Sequence, residues 1–439
     1  MWARAPSEAR GRDKEFILVV CFIKLFMDMK YIKENKREVE KGIKAKGFDV
    51  DVNLILDFDE QNHRLEKEIE NLNIERKKAA NKKDIKKGKE IKIKLAELES
   101  EKKEVSEKLE KLLRKLPNLP LPEVPIGKDE TENKVLREVG EKPKFNFNTK
   151  DYLILNEKLG WVDTERASKA AGPRFGYLLR DAVDLEFALV RLAFDTLRKE
   201  SFIPIIPPVF LKPEAMRGMG YLDYNEDEVY HLEKDDLYLI GTSEQTIGAM
   251  HMNEILSEKQ LPLRYVGFSS CFRREAGSYG KDTKGILRVH QFDKVEMFSF
   301  ARPEDSKKEH ELLLSMEEKL MKALELPYRV LQICTGDLGI QAANKYDIEV
   351  WLPGQNQYRE THSTSNDTDF QSRRLNIRYK NSKTGKNELV HTLNGTVFAM
   401  GRTIIAIMEN YQQKDGTIKI PNVLEKYICL QANIGDLKQ

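Results

Sequence analysis

The chain has 439 residues, 33% of them charged, yet a net charge of only +2. That length allows a large buried core and two or three domains. The charge balance excludes a uniformly basic nucleic-acid binder but permits a local basic patch. Cys21, Cys271, Cys334 and Cys429 lie far apart with no CxxC pair, which argues against a zinc site built on cysteine spacing and against a disulfide framework. The expectation is a reduced, cytoplasmic protein.

At the start, an apolar run from Phe16 to Phe26 follows Arg4, Arg10, Arg12 and Lys14 and mimics the first two regions of a signal peptide. The run is too short to span a bilayer, carries Lys24, and precedes no small-residue cleavage site. Residues 1–28 therefore read as an in-frame extension, with the start at Met27 or Met29. Residues 30–57 read as a helical lead-in.

From Phe58 the chain shows a coiled-coil seam: Phe58, Asn62, Leu65, Ile69, Leu72, Arg76, Ala79. After a break at 81–88 a second seam follows: Ile91, Leu95, Leu98, Lys102, Val105, Leu109, Leu112, Leu116. Alternating four-three spacing on both sides of a short polar turn predicts an antiparallel helical hairpin. Residues 61–116 hold 18 Lys and Arg against 12 Asp and Glu. Arg76, Lys77, Lys78, Lys82, Lys83, Lys86, Lys87 and Lys89 gather at the tip. A basic tip on a long rod suits a phosphate backbone, and equally a solvated lysine face. Pro117, Pro120, Pro122 and Pro125 then forbid helix and mark a linker. The remainder mixes strands and helices with antiparallel hairpins, an α+β pattern.

Four segments of that remainder carry chemistry. Leu185, Leu189, Leu192 and Leu197 mark an amphipathic helix leading to a proline-punctuated apolar strand over 202–210, which belongs at a sheet edge. The apolar strand at 237–240 opens onto Gly241, Thr242, Ser243 and Glu244, and residues 246–256 read as helix. The carboxylate and hydroxyl there suit an ammonium group, or simply cap the helix. Residues 265–275 and 290–300 read as paired strands joined by a loop rich in glycine and base: Gly277, Gly280, Lys281, Lys284, Gly285, Arg288. Alternation would bring Arg273 and Glu275 onto one face with Phe292, Lys294 and Glu296. Such a face offers a guanidinium for phosphate and a ring for a base, or else ordinary cross-strand charge pairs. Lastly, Glu360 and Ser363 are oxygen donors suited to Mg²⁺, and a strand reaching Asn394, Gly395 and Thr396 passes into a helix from about Val397 that carries Arg402.

Together these segments resemble class II aminoacyl-tRNA synthetases, and within them the seryl enzymes of the common bacterial and eukaryotic type. The helix into Pro207-Pro208 is similar to motif 1. Phe272-Arg273-Arg274-Glu275 with Arg288-Val289-His290-Gln291-Phe292 is similar to motif 2, and Gly401-Arg402 to motif 3. Gly241-Thr242-Ser243-Glu244, Arg359-Glu360-Thr361-His362-Ser363, Leu393-Asn394-Gly395-Thr396, and the segment from Pro117 to Asp129 resemble seryl-specific stretches. Asp181-Ala182-Val183 departs from the family pattern.

The resemblance implies an antiparallel class II sheet flanked by helices (151–439), a linker (117–150) and a tRNA-binding arm domain (29–116). It implies ATP-dependent formation of seryl-adenylate from L-serine and transfer to tRNA(Ser), and also to tRNA(Sec), by a homodimer joined through motif 1 and not bound to a membrane. Thr242, Ser243, Glu244, Arg273, Glu296, Asn394 and Thr396 would bind serine. Arg273, Arg274, Glu275, Val289, Phe292, Glu360, Thr361, His362, Ser363 and Arg402 would bind ATP. Glu360 and Ser363 would hold Mg²⁺. Arg273, Glu360 and Arg402 would be catalytic, and the eight basic residues from Arg76 to Lys89 would meet tRNA.

Overall fold

The structure is a computed structural model that describes residues 27–224, 226–277, 280 and 282–428. The apolar run of 16–26, Lys281 and Cys429 lie outside the described residues. The chain divides into two compact units, Met1–Leu119 and Pro120–Gln439.

In the first unit, α1 (Met29–Glu34) and α2 (Lys36–Ala45) precede two long antiparallel helices, α3 (Val52–Asn81) and α4 (Ile85–Arg114). Each long helix has 30 residues, about 45 Å at the α-helical rise. The break is tighter than the sequence suggests, because Asp84 accepts from the Lys87 amide (3.0 Å) and starts α4 before Gly88. Ile69 and Ala79 meet Ile91 and Leu95 along the seam. At the base Leu109, Leu113 and Leu116 close a core with Ile32, Val39 and Ile55. Three expected seam positions differ. Asp59, 1% exposed, takes the buried place expected of Phe58. Arg76 is exposed, since an unpaired guanidinium in an apolar seam is costly. Leu113 takes the buried place expected of Leu112. Polar rungs set the register: Ser106 donates to Asn62 (3.0 Å) and Lys102 to Glu66 (2.8 Å).

The second unit is built on one eight-stranded sheet. Its strands are β1 (Lys134–Val139), β2 (Ile203–Ile205), β3 (Leu263–Phe272), β4 (Gln291–Ala301), β5 (Tyr328–Gln332), β6 (Asn344–Leu352), β7 (Gln357–Asn366) and β8 (His391–Ala399). Their order is β1-β5-β6-β7-β8-β4-β3-β2, antiparallel except for β2 against β3. Pro204 thus sits in an edge strand, where its missing donor does least harm. The stretch expected as a linker supplies the opposite edge: β1 pairs with β5. Beneath the sheet, α5 (Asp181–Leu197), α7 (Ser306–Ala323) and α8 (Met400–Asn410) bury Leu185, Leu189, Leu320 and Ile404 against Val295, Met297 and Val397. On the upper face, Phe298 and Phe300 pack under Met219 and Ile247, the latter on the short helix α6 (Glu244–Ala249). That leaves the Phe292 end of β4 uncovered by this cluster.

Three element boundaries depart from expectation. The helix expected over 246–256 ends at Ala249, and Ile255–Ser257 is instead a strand parallel to Arg378–Lys380. Arg273 and Glu275 lie beyond the end of β3, Glu275 with φ 52°. The motif 3 helix starts at Met400, not Val397, because the β-prone Val397 and Phe398 still belong to β8.

Candidate active site

Strand register decides what faces the cleft. On β4, Phe292, Lys294 and Glu296 lie opposite Cys271, Ser269 and Gly267 of β3. The next residue on that face beyond β3 is Arg273, and its guanidinium stands 5.3 Å from the Phe292 ring centroid. The expected platform therefore forms. Glu296 is also level with Thr396 of β8, whose hydroxyl donates to Glu296 Oε2 (3.2 Å).

Glu360 and Ser363 are three residues apart, which in a regular strand would aim them to opposite faces. A bulge resolves this. Ile348 of β6 is level with His362 and Glu349 with Glu360, so Thr361 is the extra residue. The alternation shifts by one, and Glu360 and Ser363 open into the same chamber.

Three adjoining cavities result, and Arg273 lines all of them. The first is a slot walled by Val289, Phe292 and Gly401 with Glu275, Arg288, Glu360 and Arg402 at its polar margin. The second lies beside Gly241, Thr242 and Glu275. The third, about 310 Å³, is lined by Thr242, Glu244, Lys294, Glu296, Glu360, Ser363, Asn394 and Thr396, among others. That is ample for a small polar molecule.

The charges in the cleft pair with one another. Arg402 Nη1 donates to the Glu360 carbonyl (2.9 Å) and lies 3.3 Å from its carboxylate. Desolvation alone would raise the Glu360 carboxyl, but Arg402, Lys345 and Arg273 outweigh it and hold it below the usual range. Arg288 donates to Glu275 (2.9 Å). Glu244 accepts from Tyr221 (3.1 Å) and Gln371 (2.9 Å). Burial, with the Glu296 charge behind it, pushes the Glu244 carboxyl up to about 7.

Arg273, Glu275, Val289, Phe292, Glu296, Glu360, Ser363, Asn394, Thr396, Arg402, Thr242 and Glu244 thus converge. Thr361 lines the slot, although its hydroxyl turns to the Ile348 carbonyl (3.3 Å). Three expected ligands face elsewhere. Ser243 is fully buried under Gly267, whose missing Cβ would sit 3.0 Å from its hydroxyl. His362 is buried with its ring 6.2 Å from that of Phe398, and burial holds its imidazole down at about 4, hence neutral. Arg274 turns to the Tyr230 ring, 5.5 Å away. Geometry adds Lys294 and Arg288, which the sequence placed nearby without a role. It also adds Tyr221 and Gln371, for which no sequence signal existed.

A mainly antiparallel sheet, a cation–aromatic platform at the β3–β4 hairpin and an arginine on the helix after β8 define the class II aminoacyl-tRNA synthetase core. Residues 228–411 match the family model "tRNA synthetase class II core domain (G, H, P, S and T)" and residues 26–120 match "Seryl-tRNA synthetase N-terminal domain". The chain is 42% identical over 420 residues to a serine–tRNA ligase of Nitrosopumilus maritimus, covering 93% of this chain and 100% of that one. It is 46% identical over 416 residues to a serine–tRNA ligase of Dictyoglomus turgidum, covering 92% and 98%. The crystal structure of seryl-tRNA synthetase from Pyrococcus horikoshii complexed with ATP is similar at TM-score 0.84 and 42% identity, covering 92% of this chain and 98% of that one. The chain belongs to the seryl-tRNA synthetases, ligases that activate L-serine with ATP as seryl-adenylate and transfer it to tRNA(Ser).

Proposed function

We propose that the inner chamber holds serine and the slot holds ATP, with Arg273 bridging the serine carboxylate and the α-phosphate. The observation that carries this is the position of Arg273 on the margin of all three cavities. Glu244 and Thr242 receive the serine ammonium. Glu296, Thr396 and Asn394 address its hydroxyl, so alanine leaves buried polar groups unpaired and is rejected. Phe292 stacks on the adenine with Arg402 opposite, and Glu275 takes the exocyclic amine once Arg288 leaves it.

The carboxylate of serine attacks the α-phosphorus in line, and pyrophosphate departs. The terminal hydroxyl of tRNA then attacks the seryl carbonyl and releases AMP. Neither step needs a covalent enzyme intermediate. Arg273 and Arg402 hold the reacting groups and offset charge developing on the phosphates. Glu360 and Ser363 are hard oxygen donors on one face and fit Mg²⁺, which would neutralise phosphate charge there.

The eight basic residues from Arg76 to Lys89 are all exposed, which supports a grip on the tRNA backbone by the arm, for tRNA(Ser) and also tRNA(Sec). A homodimer through motif 1 is supported by an exposed apolar flank: Phe187 on α5 is 61% exposed, and Ile206 just past the edge strand β2 is 80% exposed. Among the described residues no helix is long and apolar enough to cross a membrane. The proposed site of action is the cytoplasm. Serine-dependent ATP–pyrophosphate exchange across the amino acids, followed by charging of purified tRNA, tests the reading. Exchange with another amino acid, or none, overturns it.

A further inference from the structure

The loop between β3 and β4 returns to the cleft through an ion-pair relay. Arg359 Nη2 donates to Asp282 Oδ1 (2.9 Å). The other oxygen of Asp282 lies 3.9 Å from Arg288 Nε, while Arg288 Nη1 is bound to Glu275 (2.9 Å). Arg288 lines the slot; Asp282 and Arg359 do not. Two residues further on, the loop is pinned again. Tyr152 donates to the Lys284 carbonyl (3.1 Å), and a Cβ at Gly285 would fall 1.8 Å from that tyrosine oxygen.

We propose that Asp282 and Arg359 are positioning residues for ATP, acting through Arg288; the inference rests on the reading of the slot as the nucleotide site. Arg288 stands between two carboxylates, Glu275 and Asp282. When the adenine amine takes Glu275, Arg288 loses one partner and keeps the other. Asp282 then tethers the freed guanidinium at the slot margin, within reach of phosphate oxygens, instead of letting it swing into water. Arg359 has the complementary task. By sharing the Asp282 charge it keeps that carboxylate from gripping Arg288 with both oxygens, and it fixes where the loop re-enters the sheet. Arg359 is next to Glu360 on β7, so the strand that carries the cation ligand also sets the loop. A fork-shaped guanidinium suits this geometry better than an ammonium.

The test is a double-mutant cycle on the full-length enzyme with Asp282→Asn and Arg359→Gln, read by serine-dependent ATP–pyrophosphate exchange and thermal melting. Each single change is expected to raise the ATP KM about tenfold with little change in the serine KM or the melting temperature. The double variant is expected to be no worse than the weaker single, as for residues in one relay. Arg359→Lys should recover part of the loss. An unchanged ATP KM in both singles overturns the proposal. So do additive effects in the double, or equal rises for ATP and serine accompanied by a lower melting temperature. The site reading itself fails separately, if the unaltered enzyme shows no serine-dependent exchange.

Discussion

Lys294 and Glu296 stand two residues apart on β4 and form an ion pair, Nζ to Oε2 2.5 Å, with both side chains almost wholly buried. The Thr396 hydroxyl donates to the same carboxylate oxygen and accepts from Lys294 (3.4 Å). On the proposed reading of the chamber, this buried triad is a fixed template for the serine hydroxyl. Removing a member leaves the others unsatisfied, at about 1–3 kcal/mol. Thr396→Ala and Glu296→Gln should therefore raise the serine KM by about tenfold to a hundredfold while the ATP KM moves little. Steady-state exchange kinetics decide it, and an effect confined to ATP would reassign the triad to the nucleotide.

Arg402 and Glu360 hold each other in the free enzyme. Arg402→Ala should lower the exchange kcat by about a hundred- to a thousandfold, the scale for losing one preorganised charge stabiliser. Glu360→Gln should shift the Mg²⁺ requirement to higher concentration. A magnesium titration of each variant separates the two roles.

Glu244 titrates near 7 in the free enzyme because burial and the Glu296 charge disfavour its ionised form. An ammonium ligand needs that form. The serine KM should accordingly rise as pH falls from 8 to 6, and serine binding near pH 7 should release protons, measurable by calorimetry in buffers of different ionisation enthalpy. In Glu244→Gln the serine KM should be high and flat across this range. A flat profile in the unaltered enzyme would remove Glu244 from the serine site.

The arm makes an electrostatic prediction. Replacing Lys82, Lys83, Lys86 and Lys87 by Gln should weaken tRNA binding and reduce the slope of log affinity against log salt, by about one for each phosphate left without its lysine. Exchange without tRNA should be unchanged. An identical salt slope would make the tip a solvated face only.

Much of this was legible in the residues. Heptad spacing pointed to the hairpin, and alternation along β4 correctly grouped Phe292, Lys294 and Glu296. What was not legible lay where one residue's direction depends on a distant partner. Ser243 and His362 sit inside motifs that reach the cleft, yet they point into the core, because their neighbours on the strand or turn take the cleft-facing positions. Lys134–Val139 is largely exposed and does not alternate between apolar and polar residues, so only its pairing with β5 reveals it as a strand. Tyr221 and Gln371 reach Glu244 from 23 and 127 residues away, a convergence no local pattern encodes.

The extra residue at Thr361 has a corollary for insertions and deletions. Pleated strands have a parity, and here donors three positions apart agree only because the bulge absorbs one of the two residues between them. Deleting Thr361 would leave Glu360 and Ser363 two positions apart on an unbulged strand and still on one face, whereas flattening the bulge at unchanged length would turn one of the pair toward the helices below. For this stretch of chain, a local defect in the pleat achieves what spacing alone would undo.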